Sequence, residues 1–316
     1  MNPADSPAAP EPDFGHVPVL AAETAGFCPA LSAGVIVDCT VGAGGHSAIL
    51  LERTGQAVTL IGLDADPASL AVAAGRLKRF GPRVRLVHTR FGRLVECLDE
   101  LGVAAVDYLL ADIGLCSRQF SDEGRGFSFD SAGPLDMRFD PSRPKSAADL
   151  VNGLPERELA DLIYQLGEDP FARRIARRIL EFRRVRPLSK AVELADCIRG
   201  AYPAAVRRNS RTDPATRTFQ ALRIAVNDEL GELDRLLAGG PGRLAPGGRM
   251  AVISFHSLED RRVKERFRTL TDRNGPDAGR YRLLTKKPVT ASDAELAANP
   301  RARSAKLRVL ERLAAA

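Results

Sequence analysis

Long apolar runs are missing from this chain: no stretch approaches the roughly 18 apolar residues that a membrane-spanning helix requires. An integral membrane protein is excluded on that count. Cysteine and histidine are sparse and scattered. Cys28, Cys39, Cys97, Cys116 and Cys197 form no C-x-x-C pair, and His16, His46, His88 and His256 form no cluster. A disulfide framework and a structural zinc site are therefore not expected, and no metal is assigned. The first 13 residues lack the basic and apolar regions of a signal peptide and the Arg-rich character of a transit peptide. They read as a disordered tail, and the protein is expected in the cytoplasm. No internal repeat is visible.

The charge that is present is unevenly placed. The chain carries 46 Lys and Arg against 40 Asp and Glu in 316 residues, a net charge of +6. Between 171 and 223 fourteen basic residues face only four acids, so the rest of the chain is net acidic. Arg173, Arg174, Arg177, Arg178, Arg183 and Arg184 recur at helical spacing with few carboxylates to pair with. A solvated helix face would look similar, but this concentration favours a phosphate-binding surface.

Elements alternate in the first half. Apolar β-branched runs at 35–39, 58–63, 84–87 and 106–110 read as strands, separated by helical patterns at 47–53, 66–79 and 94–101. Asp66-Pro67 is an N-cap followed by proline in the first helical position. Such alternation predicts an α/β protein with a doubly wound parallel sheet. It stops at Asp112. Helical patterns at 156–166, 170–182, 189–201 and a long one at 214–237 follow, before strand character returns at 249–253, then a helix at 258–270 and strand candidates at 280–285 and 305–310. This pattern is an α/β domain (14–130 and 220–316) interrupted by an all-helical insertion (131–219).

Several residues fall where such folds do chemistry. Gly42-Ala43-Gly44-Gly45-His46 joins the first strand to its helix, where glycines admit close approach to a ligand and free N–H groups face it. Asp64 ends the second strand, the position of a carboxylate that takes ribose hydroxyls. Counting G-x-G-x-x from Gly42 puts Ser47 where a dinucleotide site favours a third small glycine or alanine. That favours S-adenosylmethionine, which has no phosphates, over NAD. Asp112 ends the fourth core strand and His256 follows the fifth, at the same sheet edge. Each has a plain structural alternative: a cap, or an ordinary surface histidine.

Longer strings then become recognisable. Val37-Asp38-Cys39-Thr40-Val41-Gly42-Ala43-Gly44-Gly45-His46-Ser47, Gly124-Arg125-Gly126-Phe127-Ser128-Phe129 and Gly133-Pro134-Leu135-Asp136-Met137-Arg138 resemble the bacterial small-subunit rRNA methyltransferase H family, MraW. So do Thr216 through Arg223, Ser254 through Arg261, and Asn299-Pro300-Arg301-Ala302-Arg303-Ser304. The resemblance covers everything after the tail. It implies a Rossmann-like methyltransferase domain interrupted by a helical RNA-recognition domain. It also implies S-adenosylmethionine as cofactor, and methylation of the exocyclic N4 of a cytidine in the decoding region of 16S rRNA, within the small ribosomal subunit. Residue by residue, it places cofactor contacts on Gly44, Gly45, His46, Asp64, Phe91, Asp112 and Gln119. Asp112 is then the candidate catalytic acceptor for the amine N–H, with His256 second. The string after Asp112 departs from the family's usual one, and Cys116 stands where the family has serine.

Three other functions remain to be separated. An NAD oxidoreductase conflicts with the missing third glycine and the insertion. A DNA amino-methyltransferase would show an Asp/Asn-Pro-Pro-Tyr-like string after the fourth strand, and none occurs, so DNA is not an expected partner. An assembly factor with a vestigial fold conflicts with the intact Gly44-Gly45-His46, Asp64 and Asp112 set. Methylation at carbon 5 would require a thiolate nucleophile, for which Cys116 is the positional candidate.

Overall fold

Seven strands form one sheet: β1 (Ala33–Asp38), β2 (Ala57–Asp64), β3 (Val84–His88), β4 (Val106–Asp112), β5 (Leu244–Ser254), β6 (Tyr281–Leu283) and β7 (Lys306–Arg312). Their order is β3-β2-β1-β4-β5-β7-β6. The first five run parallel, and β7 runs antiparallel to both neighbours. The structure is a computed structural model and describes residues 18–210 and 212–314; the expected tail at 1–13 and Arg211 lie outside the described residues.

The inner strands β1 and β4 read as largely apolar runs because both sheet faces are covered there. Along β4, Tyr108 and Leu110 pack into one core with Ile36, Leu60 and Val309, while Leu109 and Ala111 pack into the other with Val37, Leu63 and Met250. Helix α1 (Ala21–Phe27) precedes the sheet, and the crossovers carry α2 (Gly45–Glu52), α3 (Pro67–Leu77) and α4 (Leu94–Glu100). Asp66 caps α3, accepting from Ala68 N at 3.0 Å with Pro67 next in line, as the Asp-Pro pair predicts.

Between β4 and β5 the chain is helical: α5 (Ser117–Ser121), α6 (Ala147–Gly153), α7 (Glu156–Gly167), α8 (Ala172–Val185), α9 (Ala191–Ala201), α10 (Ala204–Asn209), α11 (Ala215–Asn227) and α12 (Glu229–Gly239). These helices have their own core, which runs from Phe127 to Val226 and includes Leu159, Ile163, Ile175, Ile179, Leu194 and Leu222. On α8 the residues Ala172, Ile175, Ala176 and Ile179 are buried at helical spacing, which turns Arg173, Arg174, Arg177 and Arg178 to solvent. After β5 come α13 (Ser257–Leu270) and α14 (Asp293–Ala298). Among the described residues no helix is long and apolar enough to cross a membrane.

The single helix expected at 214–237 is two. Its apolar periodicity does continue, but Asp228 adopts φ 54, ψ 37 and breaks the backbone between α11 and α12. The break is fixed from outside the helix. Asn227 donates to Met137 O at 2.7 Å and accepts from Phe139 N at 2.8 Å, which ties the end of α11 to a loop 90 residues earlier.

Candidate functional site

Three adjacent strands end in carboxylates at one sheet edge: Asp38 on β1, Asp64 on β2 and Asp112 on β4. Ligands of open α/β sheets sit outside that edge. The glycine turn between β1 and α2 is built around the second of these. Asp64 accepts from Gly42 N and from Asp66 N, both at 2.8 Å, one on each carboxylate oxygen. Gly44 caps α2 at φ 78, and a Cβ there would lie 3.2 Å from Leu77 Cγ. The turn thus needs glycine for its conformation and for its packing on α3. Asp38 is buried and accepts from the Ser47 hydroxyl at 2.7 Å and Thr40 N at 3.2 Å. Asp112 N donates to Thr40 Oγ1 at 2.7 Å, so the third carboxylate is held to the same turn.

These edges open onto a cleft with an empty volume of about 1290 Å³, open solvent included. Gly45, His46, Asp64, Phe91, Asp112 and Gln119 all line it. Two expected residues do not. Gly44 supports the turn from behind, against Leu77 and Ala73. His256 caps α13, accepting from Glu259 N at 3.4 Å with Nε2 3.0 Å from Glu259 Oε1. The spacing His256-x-x-Glu259 is that of a capping box, and it turns the imidazole back onto its own helix.

The electrostatics of the cleft follow from burial. Burial pushes the Asp64 carboxyl up to about 6, against the two backbone N–H bonds that favour its charge. His46 would be lowered by its burial. The neighbouring carboxylates, Asp112 first and then Asp38 and Glu295, outweigh this and raise it. His46 Nε2 lies 3.5 Å from Asp112 Oδ2, and both His46 Nε2 and Asp112 Oδ1 are buried without a hydrogen-bond partner. Both atoms therefore keep hydrogen-bonding capacity for a molecule in the cleft. Gln119 is committed to structure as well: its amide donates to Asp66 at 2.9 Å and accepts from Cys116 N at 3.1 Å. Asp66 also receives Arg125 at 2.6 Å, which ties the loop after β4 to α3.

A second wall escaped sequence reasoning. Asp140, Arg143, Asn227, Glu229 and Glu232 come from the helical segment and from the start of α12, and Arg90 follows β3. Glu232 joins α12 to the segment after β3: it accepts from Gly92 N at 2.9 Å and pairs with Arg90 at 2.8 Å, and on its own helix it pairs with Arg235 at 2.7 Å. No local pattern marks such residues, because their common property is meeting across the chain.

Asp64 yields the first test. If its carboxylate takes ribose hydroxyls, Asp64→Ala weakens S-adenosylmethionine binding by about 1.5–3 kcal/mol, as charge-assisted hydrogen bonds are worth. Because the ionised form accepts those hydroxyls, wild-type affinity should rise with pH through about 6 and then level off. Calorimetry on folded protein reads both. Unchanged affinity in the variant removes Asp64 from the ligand's contacts.

Comparison with known proteins extends over the whole of this architecture. Residues 13–313 match the MraW methylase family. Ribosomal RNA small subunit methyltransferase H of Nitratidesulfovibrio vulgaris (strain DP4) is 48% identical over 308 residues, 94% of this chain and 95% of that protein. The protein of the same name from Geobacter sulfurreducens is 49% identical over 310 residues, covering 95% and 99%. That from Symbiobacterium thermophilum is 48% identical over 312 residues, covering 96% and 98%. Since the match takes in both halves of the sheet and the helices between them, the chain belongs to the MraW methylase family.

Proposed function

We propose that this protein is an S-adenosylmethionine-dependent rRNA methyltransferase that methylates the exocyclic N4 of a cytidine in the decoding region of 16S rRNA. The observation that carries the reading is Asp112 Oδ1, a buried and unpartnered acceptor at the end of β4, in one cleft with the glycine turn and Asp64. Relatives named for small-subunit rRNA methylation supply the substrate class. The cytoplasm, with its ribosomal subunits, is the setting this substrate requires.

The cleft fits the cofactor. Asp64 offers free lone pairs for ribose hydroxyls, Phe91 an aromatic face, and the first turn of α2 at Gly45 and His46 forms part of the wall. When bound, S-adenosylmethionine supplies an electrophilic methyl group. The remaining work falls to the chain. A cytosine amine is a poor nucleophile because its lone pair is delocalised into the ring. Asp112 accepts one amine N–H, which favours a pyramidal nitrogen, and receives the proton that the amine sheds; His46 Nε2 lies 3.5 Å from its other oxygen. Orientation and fixed charge then account for the rate without a covalent intermediate. The base must leave its stack to enter.

Carbon-5 methylation fits less well. Burial raises the Cys116 thiol rather than lowering it. Arg118, the nearby cation, donates instead to Ala68 O at 2.9 Å. The deciding assay offers the purified protein unmethylated small-subunit rRNA and methyl-labelled cofactor, followed by nucleoside analysis. N4-methylcytidine from the wild type and from Cys116→Ser supports the reading; 5-methylcytidine, or no turnover with Cys116→Ser, overturns it.

We assign the helical segment 131–219 to RNA contact, and 14–130 with 220–316 to methyl transfer. Several of its basic side chains serve structure: Arg183 donates to Val151 O at 2.7 Å, Arg199 pairs with Asp213 at 2.8 Å, and Arg217 donates to Glu168 O at 2.7 Å. Arg173, Arg174, Arg184, Arg207 and Arg208 are exposed and pair with no carboxylate among the described residues. Arg173→Glu, Arg174→Glu and Arg184→Glu together should weaken RNA binding and flatten its salt dependence, with cofactor affinity unchanged. An unaltered salt slope in a binding titration returns them to a solvated face.

A further inference from the structure

Methyl transfer as described gives no task to Asn299-Pro300-Arg301-Ala302-Arg303-Ser304, which forms a 3₁₀ turn (Pro300–Ser304) before β7. Asn299 caps the turn, accepting from Arg301 N at 3.3 Å. Ala302 and Ala305 are buried in the core on one face of the sheet, which pins the backbone, while Arg301 and Arg303 remain exposed. Arg301 lines the cleft, and its guanidinium lies over the ring of Phe120, 5.3 Å from the centroid. Phe120 sits on α5, eight residues beyond Asp112, and is one of few large apolar side chains left exposed among the described residues.

Other arginines around the cleft are committed. Arg90 pairs with Glu232 at 2.8 Å, and Arg143 donates to Asn227 O at 2.8 Å. Arg301 has no carboxylate partner among the described residues, and its one side-chain contact of note is an aromatic ring. An exposed ring beside an unneutralised charge that lines the cleft matches a ligand with both a π face and a negative charge. A nucleotide has both.

We propose that Phe120 and Arg301 form a rim site for the nucleotide next to the target cytidine, its base stacked on this pair and its phosphate against the guanidinium. The inference rests on the rRNA-methyltransferase reading and adds to it a residue pair that sets register at the cleft. The pair lies outside the basic helices, where charge attracts RNA without placing a base.

Steady-state kinetics with unmethylated small-subunit rRNA, at several salt concentrations, test it. Arg301→Ala should raise KM for RNA about tenfold, within the range of base stacking, with kcat at saturating RNA and cofactor affinity retained. Its salt slope should fall by about one phosphate contact. Phe120→Ala should raise KM with the slope unchanged, and Arg301→Lys should restore the slope but not the full affinity. A wild type that methylates rRNA while both alanine variants keep its KM overturns the rim site alone. So does an Arg301→Ala variant that loses cofactor affinity as steeply as RNA affinity, since Arg301 then serves the cofactor. A wild type that leaves rRNA unmethylated overturns the reading beneath it.

Discussion

Asp112→Asn is expected to slow methyl transfer about a thousandfold, within the range for loss of a positioned proton acceptor, while cofactor affinity changes less than about tenfold. The substitution keeps the side chain's shape, and the Asp112 N–H bond to Thr40 Oγ1 belongs to the backbone and persists. What changes is Oδ1, the buried unpartnered acceptor, and the charge beside His46 Nε2. An amide presents one acceptor and removes the negative charge that would take the amine's proton. Single-turnover methylation with saturating cofactor and RNA isolates this step from binding. A rate within about threefold of wild type would assign the proton to water or another group.

Arg223→Leu should cost about 3–5 kcal/mol of stability, the penalty for leaving a buried charge without its partner. Arg223 donates Nε and Nη2 to the two oxygens of Glu229 at 2.8 and 3.0 Å, across the break between α11 and α12. Burial raises the Glu229 carboxyl, Arg223 counters it, and neighbouring Glu259 raises it further. With the guanidinium gone, Glu229 is raised more. A carboxyl raised in the folded state contributes stability below its unfolded pKa and loses it as pH rises through its folded pKa. The deficit should therefore grow from acid towards neutral pH in denaturant titrations. Arg223→Leu with Glu229→Leu should recover most of the loss. A double variant as unstable as the single one would locate the cost in packing.

The inner strands β1, β2 and β4 were legible because each is a largely apolar run closed by an aspartate. The same feature placed Asp64 and Asp112 at one edge. Capping chemistry was legible too. Ser146 with Asp149 opens α6, and Ser292 caps α14 through Glu295 N. Both spacings are visible in the sequence. His256 shows the limit of position alone: it follows β5 at the correct edge, but Glu259 three residues on draws its imidazole into a cap. The break at Asp228 was hidden for a different reason. Leu230 and Leu233 continue the helical period, and the interruption comes from Asn227 bonds to Met137 and Phe139. The second cleft wall was hidden in the same way, by contacts between segments far apart in the chain.

The proposed activity places one methyl group on one nitrogen of 16S rRNA. Mass spectrometric nucleoside mapping of 16S rRNA from cells lacking this protein tests it most directly. N4-methylation of a decoding-region cytidine should disappear, return with the wild-type chain and stay absent with Asp112→Asn. Unchanged N4-methylation, or loss of a 5-methylcytidine in its place, would contradict the account.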